Sequence, residues 1–216
     1  MKNLIKRAAL MLMMFVSLST FAQQGYTISF DQTMETEDST MQQTIDMMGD
    51  VTSTWYSQGD NFRSETNAGM AGVTTVVYNG SNQEILLLME NPFSGNMYSS
   101  IKDTTDTDQE KPFTVVKTKE KRKIAGYKCV KYVITDTAGV VTTAYATNSI
   151  KSPSYSQYGD KVEGMVLCTI SEMEAMGATL KVSLTANNVV RGTISDDKFS
   201  LVIPEGYTNM NEFVEE

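Results

Sequence analysis

Few residues in this chain have the types and spacing that support chemistry. Histidine is absent from all 216 positions. That excludes Ser-His-Asp and Cys-His catalytic pairs, an HExxH zinc site and any near-neutral imidazole acid or base. Cys129 and Cys168 are the only cysteines. Two thiols are too few for a four-thiolate zinc site, and these two are too far apart for a CxxC redox motif. Ser99-Ser100-Ile101-Lys102 fits the bare S-x-x-K pattern of acyl-serine enzymes. No S-D-N or K-T-G companion goes with it, so a chance match is the better reading. Asp103, Asp106, Asp108 and Glu110 offer oxygen ligands for calcium, but without the glycine and spacing of an EF-hand loop they read as a solvated acidic turn. The expectation is a protein that is not an enzyme and carries no cofactor and no metal.

Two patterns point to binding instead. Eleven of the 15 methionines lie beyond residue 22, Met34, Met89 and Met97 among them. Flexible thioethers fill gaps in a β core, line an adaptable apolar pocket, or act as soft ligands for Cu(I). No histidine-supported methionine cluster favours the metal. Lys117, Lys119, Lys121 and Lys123 share one parity, so on an extended strand their ammonium groups line a single face. Such a row either contacts a headgroup or polysaccharide, or guards an edge strand against unwanted pairing.

The elements that must position these residues begin after an N-terminal leader. Lys2, Lys6 and Arg7 precede an apolar run from Ala8 to Leu18 and a Thr20-Phe21-Ala22 end, the pattern of a secretory signal peptide cleaved after Ala22. No later stretch approaches the ~20 apolar residues of a spanning helix. The expected product, residues 23–216, is a single β-rich domain in the periplasm or outside the cell. Its 194 residues suffice for a core without staples. The leader holds three of the 18 basic residues and none of the 26 acidic ones, which leaves a charge of −11. That balance repels phosphate backbones and argues against nucleic acid as a partner.

Period-two patterning runs through most of the remainder. Tyr26, Ile28, Phe30 and Met34 share one parity, while Thr27, Ser29, Asp31, Thr33 and Glu35 share the other, as a half-buried strand requires. Hairpins are predicted over 51–66 around Gly59-Asp60 and over 73–90 around Asn79-Gly80-Ser81-Asn82. After the acidic stretch 103–112, strands are predicted at 113–123, 126–135, 140–147, 165–172, 180–190 and 198–203. A Ser/Tyr/Pro-rich connection at 148–160 suits a short helix. Met41 to Met48 fits either a helix or an extension of the strand that follows. The fold class expected is mainly β: a curved antiparallel sheet with one or two short helices.

Three segments resemble a known family. They are Trp55 to Arg63 (WYSQGDNFR), Lys123 to Tyr132 with its I-x-G-Y-x-C-x-x-Y pattern, and Phe199 to Tyr207 (FSLVIPEGY). Together they resemble an exported bacterial family known only as a domain of unknown function, type 4412. Its members look like distant relatives of the periplasmic lipoprotein carriers LolA and LolB, whose fold is an incomplete barrel around an apolar concave face.

The resemblance implies a binder of lipid or lipoprotein acyl chains rather than a catalyst. Tyr26, Ile28, Phe30 and Met34 would line the concave face, joined by Val73, Thr75 and Val77 or by their opposite-parity neighbours Val76 and Tyr78. The alternative is an envelope interaction module that holds a protein or polysaccharide on a sheet face or edge. An enzyme built on paired carboxylates stays open only because Asp and Glu are plentiful. Cys129 and Cys168 fall in predicted strands of an exported chain, so they form either a disulfide or two buried thiols.

Overall fold

The computed structural model describes residues 24–102, 113–153, 155, 158–175 and 177–213. The segment read as a leader, with its expected cleavage site after Ala22, the acidic stretch 103–112 and Met176 lie outside the described residues. Strands β1 (Gly25–Thr36), β2 (Val51–Gln58), β3 (Asn61–Asn67), β4 (Val73–Asn79), β5 (Glu84–Asn91) and β6 (Gly95–Lys102) come first. They are followed by β7 (Phe113–Ile124), β8 (Tyr127–Asp136), β9 (Val141–Thr147), β10 (Met165–Ala175), β11 (Ala178–Gly192) and β12 (Thr208–Asn209). All belong to one 12-stranded sheet, ordered β12-β6-β5-β4-β3-β2-β1-β11-β10-β9-β8-β7. Every pairing is antiparallel except the two-residue parallel contact of β12 with β6. The sheet has two ends and is therefore open.

Chain length forces it to curve. Lys102 ends β6 and Phe113 begins β7, so 113 − 102 = 11 residue steps join them, a reach of at most roughly 40 Å. Ten strand spacings separate β6 from β7 in the sheet order, which would be roughly 48 Å if the sheet were flat. At the other end β7 touches β11 although three strands lie between them. Register shifts at Ser29/Phe30, Val166/Cys168 and Lys117/Lys121 mark the bulges that bend these strands.

Local chemistry explains the elements. Ala125 (φ 44°) and Gly126 (φ 88°) form a two-residue turn with both central residues at positive φ, the geometry that matches strand twist. The I-x-G-Y-x-C-x-x-Y segment is thus a hairpin tip followed by core positions, because Cys129 and Tyr132 are buried. Helix α1 (Ser39–Met48) resolves the ambiguity at Met41 to Met48. The Asp38 carboxylate accepts from the Met41 N–H at 2.8 Å and caps the helix. Met41, Ile45 and Met48 are half-buried, and the helix rests on β1 and the Gly69–Ala71 turn.

Two expected elements are replaced. Among its described residues the connection 148–164 holds a short 3-10 turn at Gly159–Lys161 and no α-helix. Its Ile150, Tyr158 and Val162 are buried in two of the three core clusters, so side-chain packing shapes it instead of backbone periodicity. Residues 198–203 form no strand: a 3-10 turn, Asp196–Phe199, leads into an irregular segment. Phe199 and Leu201 lie against the broad face of the sheet, where an alternating pattern buries side chains without any ladder of hydrogen bonds.

The two cysteines are separate buried thiols, which corrects the disulfide alternative. Cys129 lies on β8 and Cys168 on β10, with β9 between them. Two strand spacings are roughly 9.6 Å, whereas a disulfide needs Cα atoms within about 7 Å. Burial, followed by the nearby Cys168, pushes the Cys129 thiol up to about 11. A thiol reagent added to native protein should therefore label neither cysteine, and the same reagent in denaturant without reductant should label both. No thiol in denaturant would mean the sulfurs are bonded after all.

A candidate apolar binding face

Strand pairing assembles one face of the sheet in three rows. Tyr26, Ser57, Phe62, Tyr78, Ile85 and Ile101 are successive cross-strand partners from β1 to β6. Ile28, Trp55, Ser64, Val76, Leu87 and Ser99 form the second row, and Phe30, Ser53, Thr66, Thr74, Met89 and Met97 the third. Paired residues point to the same side. All six residues expected to line a pocket therefore share this face: Tyr26, Ile28, Phe30 and Met34 by parity on β1, Val76 and Tyr78 through the rows. The other candidates, Val73, Thr75 and Val77, point to the opposite face.

The protein itself encloses half of that set. Ile28, Phe30 and Tyr78 are 0%, 1% and 4% exposed, so they are core. Ile28 and Phe30 pack in one core cluster with Ile150, Met165 and Leu167, and an aromatic chain leads from Phe30 to Tyr78: Phe30 to Trp55 at 4.4 Å, Trp55 to Phe62 at 5.5 Å, Phe62 to Tyr155 at 6.4 Å and Tyr155 stacked on Tyr78 at 5.3 Å. Tyr155 comes from the 148–164 connection and lies over the first row from outside the sheet. The Trp55 indole N–H donates to Ser53 Oγ at 3.1 Å, and Ser53 bonds Thr66 at 2.9 Å. These three polar groups of the face thus satisfy one another.

Beyond the aromatic chain the face stays open. Val76, Ile85, Leu87, Met89 and Met97 are half-buried, and Ile101 is exposed. On the reverse of the same strands Val77, Leu86 and Leu88 are buried beneath Tyr98, Leu201 and Tyr207. Two clefts lie elsewhere. One of about 560 Å³ sits between Asp60 and the 148–164 connection. The other, about 790 Å³, lies between the end of β1 and the β10–β11 turn and is lined by Glu35, Glu37, Asp38, Glu172 and Lys181. Their charged walls suit water better than an acyl chain.

The C-terminal segment that seals the reverse face is held by charge. Arg63 Nε meets Glu65 Oε1 at 2.6 Å and Lys198 Nζ meets the same oxygen at 3.2 Å. Lys198 also sits 4.6 Å from the Tyr56 ring centre. Arg63 donates to the Lys198 carbonyl, Asn79 to the Phe199 carbonyl, and the Tyr207 hydroxyl to Glu90 at 2.8 Å. Burial raises the Glu65 pKa, but the hydrogen bonds from Arg63 and Lys198 outweigh it and hold the carboxyl below its usual value. A carboxylate depressed in the folded state stabilises the fold above its unfolded pKa, and that contribution is lost as pH falls through the folded value. Acidification below pH 4.5 should therefore loosen the C-terminal segment more in the native chain than in Glu65→Gln. Equal acid sensitivity of the two, read by proteolysis of the C-terminus, would rule this out.

Among the described residues no group of three or more Cys, Asp or Glu is placed to hold a metal ion. Among the described residues no helix is long and apolar enough to cross a membrane. Comparison with known families finds one match, "Domain of unknown function (DUF4412)", over residues 38–166, more than half of the chain. The chain belongs to this family. The matched region runs from the cap of α1 to the start of β10, so it holds the open rows of β2 to β6 and leaves the C-terminal seal outside. No curated protein matches. Among solved structures, PNGF-II is similar with a TM-score of 0.53 and 17% identity over 88% of this chain. The chain spans about a third (32%) of PNGF-II, and the likeness is one of fold. The Pseudomonas aeruginosa MucA/MucB complex matches 83% of this chain and 56% of that one, with a TM-score of 0.43 and 9% identity.

Sequence reasoning reached β1 and β4 but missed Trp55, Phe62, Ile85, Leu87 and Tyr155 as members of the face. The signal present was Leu86-Leu87-Leu88. Apolar residues at consecutive positions put apolar side chains on both faces of a strand. Tyr155 had no signal, since nothing in a Ser/Tyr/Pro-rich connection says which strand it crosses.

Proposed function

We propose that this protein is an exported, non-catalytic carrier or sensor that holds an apolar or amphipathic ligand, such as a lipid or lipoprotein acyl chain, on the open part of the Trp55 face. The observation that carries the reading is the asymmetry of β5. Leu86 and Leu88 are sealed by the protein's own C-terminal segment, whereas Ile85, Leu87 and Met89, on the Trp55 face, are only partly buried. An apolar surface shared by several adjacent strands favours a partner that removes it from water. Met89 and Met97, direct cross-strand partners, supply an adaptable lining. The leader sequence supports a site of action outside the cytoplasm, in the periplasm or beyond. Enclosing a few hundred Å² of acyl chain at roughly 25 cal/mol per Å² yields several kcal/mol. After the costs of association that corresponds to about micromolar affinity.

Trp55 is the single tryptophan and lies on the face itself, so it reports directly. Titrating oleate or palmitate into the folded protein should move Trp55 emission to shorter wavelength in a saturable way, and native mass spectrometry should find lipid retained on protein from cells. An emission spectrum unmoved by fatty acids, with no retained lipid, would dismiss the acyl-chain reading.

A further inference from the structure

We infer that β7 is a docking edge for an acidic, extended segment of a partner protein, which would add to the sheet as a thirteenth strand. The inference is independent of the acyl-chain reading. Because β7 is the last strand in the order, half of its backbone N–H and C=O groups pair with no strand among the described residues, and a polypeptide is the ligand that satisfies such a row. The side chains state the partner's charge. Lys117, Lys119, Lys121, Arg122 and Lys123 fall within seven positions of a chain whose net charge is −8. Lys117 pairs with Glu163 at 2.7 Å, and Glu120 is taken by Lys131 at 2.9 Å. Lys119, Lys121 and Lys123 are exposed and have no carboxylate partner among the described residues.

Register sharpens the geometry. The bulge between Lys117 and Lys121 sets three β7 residues against Lys131, so Lys117, Lys121 and Lys123 lie opposite Tyr132, Val130 and Lys128 and still share one face. A strand with a carboxylate at every second position would place its charges beside them. A second β7 would bring lysine against lysine, so the same row that admits an acidic strand rejects a second copy.

The test uses a capped, fluorescent Glu-Val-Glu-Thr-Glu-Val-Glu peptide with the full-length processed protein. Saturable binding is expected, weakened at least tenfold by Lys119→Glu, Lys121→Glu and Lys123→Glu together and about as much by 0.5 M salt. Amide exchange should slow along residues 113–124. The triple Lys→Gln variant should bind with intermediate affinity. Native Trp55 emission in both variants confirms that they are folded. Absence of binding, binding indifferent to the lysines, or binding that leaves β7 amides unprotected would overturn the proposal. So would capture of phosphatidylglycerol vesicles without any peptide binding, since that would make the row a lipid contact.

Discussion

Leu86→Ala is expected to cost the fold about 3 kcal/mol, while Leu87→Ala, its immediate neighbour, should cost about 1 kcal/mol and yet be the one that weakens ligand binding. The difference follows from the side of β5 that each occupies. Leu86 is 1% exposed, packed with Val77 and Leu88 under the C-terminal segment. Truncation there removes buried methyl groups and leaves a void between two covalently constrained layers. Leu87 is only partly buried on the Trp55 face, so its loss removes less packed surface and leaves no enclosed void. If the open face is the binding surface, Leu87→Ala should weaken the oleate-induced shift of Trp55 several-fold and leave the urea midpoint nearly in place. Leu86→Ala should do the reverse in protein that remains folded. Parallel effects of the two on binding would show that the ligand does not distinguish the faces, and the proposed site would fail.

Gly164→Ala should lower stability by about 3 kcal/mol or more, whereas Gly177→Ala should cost about 1 kcal/mol. Both glycines have left-handed backbones, φ 80° and 83°, so each substitution carries the strain of an L side chain in that region. Only Gly164 adds a collision. A Cβ there would overlap the Thr147 carbonyl oxygen and sit 2.7 Å from the Asn148 Cα. Both are backbone atoms, which move only if the chain path moves. At Gly177 a Cβ meets nothing within 4 Å.

The consequence reaches the binding face, because Gly164 ends the connection that carries Tyr155 over Tyr78. Melting temperatures should fall by roughly 6 to 12 °C for Gly164→Ala and roughly 2 to 4 °C for Gly177→Ala, given the size of the chain. Trp55 emission in the Gly164 variant should also report a loosened aromatic chain. Equal melting points for the two variants would contradict the collision argument.

Much of this molecule was legible residue by residue. Tyr26, Ile28 and Phe30 alternate with Thr27, Ser29 and Asp31, and the strand they predict is β1, with its apolar parity inward. Gly59-Asp60 marks a hairpin turn, because two residues between extended runs admit few backbone geometries. The absence of histidine closed off whole classes of chemistry without any coordinates. These are local properties: backbone conformation, strand parity and side-chain inventory are set within a few residues of each position.

What only the tertiary structure decided is which surfaces meet. The alternating Phe199, Leu201 and Ile203 reads as a strand in isolation, and it became a seal because β4 to β6 offered an apolar reverse face rather than a free edge. Cys129 and Cys168 are both buried as expected, but the insertion of β9 between their strands set the distance that a disulfide cannot span. Tyr155 joined the Trp55 face through a connection whose path depends on Gly164 and Ile150, far from the strands it covers. The two sides of β5 are chemically alike, Leu86 and Leu87 being the same residue. Their different fates follow from long-range pairing and from the C-terminal segment folding over one side only, and neither is encoded at the positions themselves.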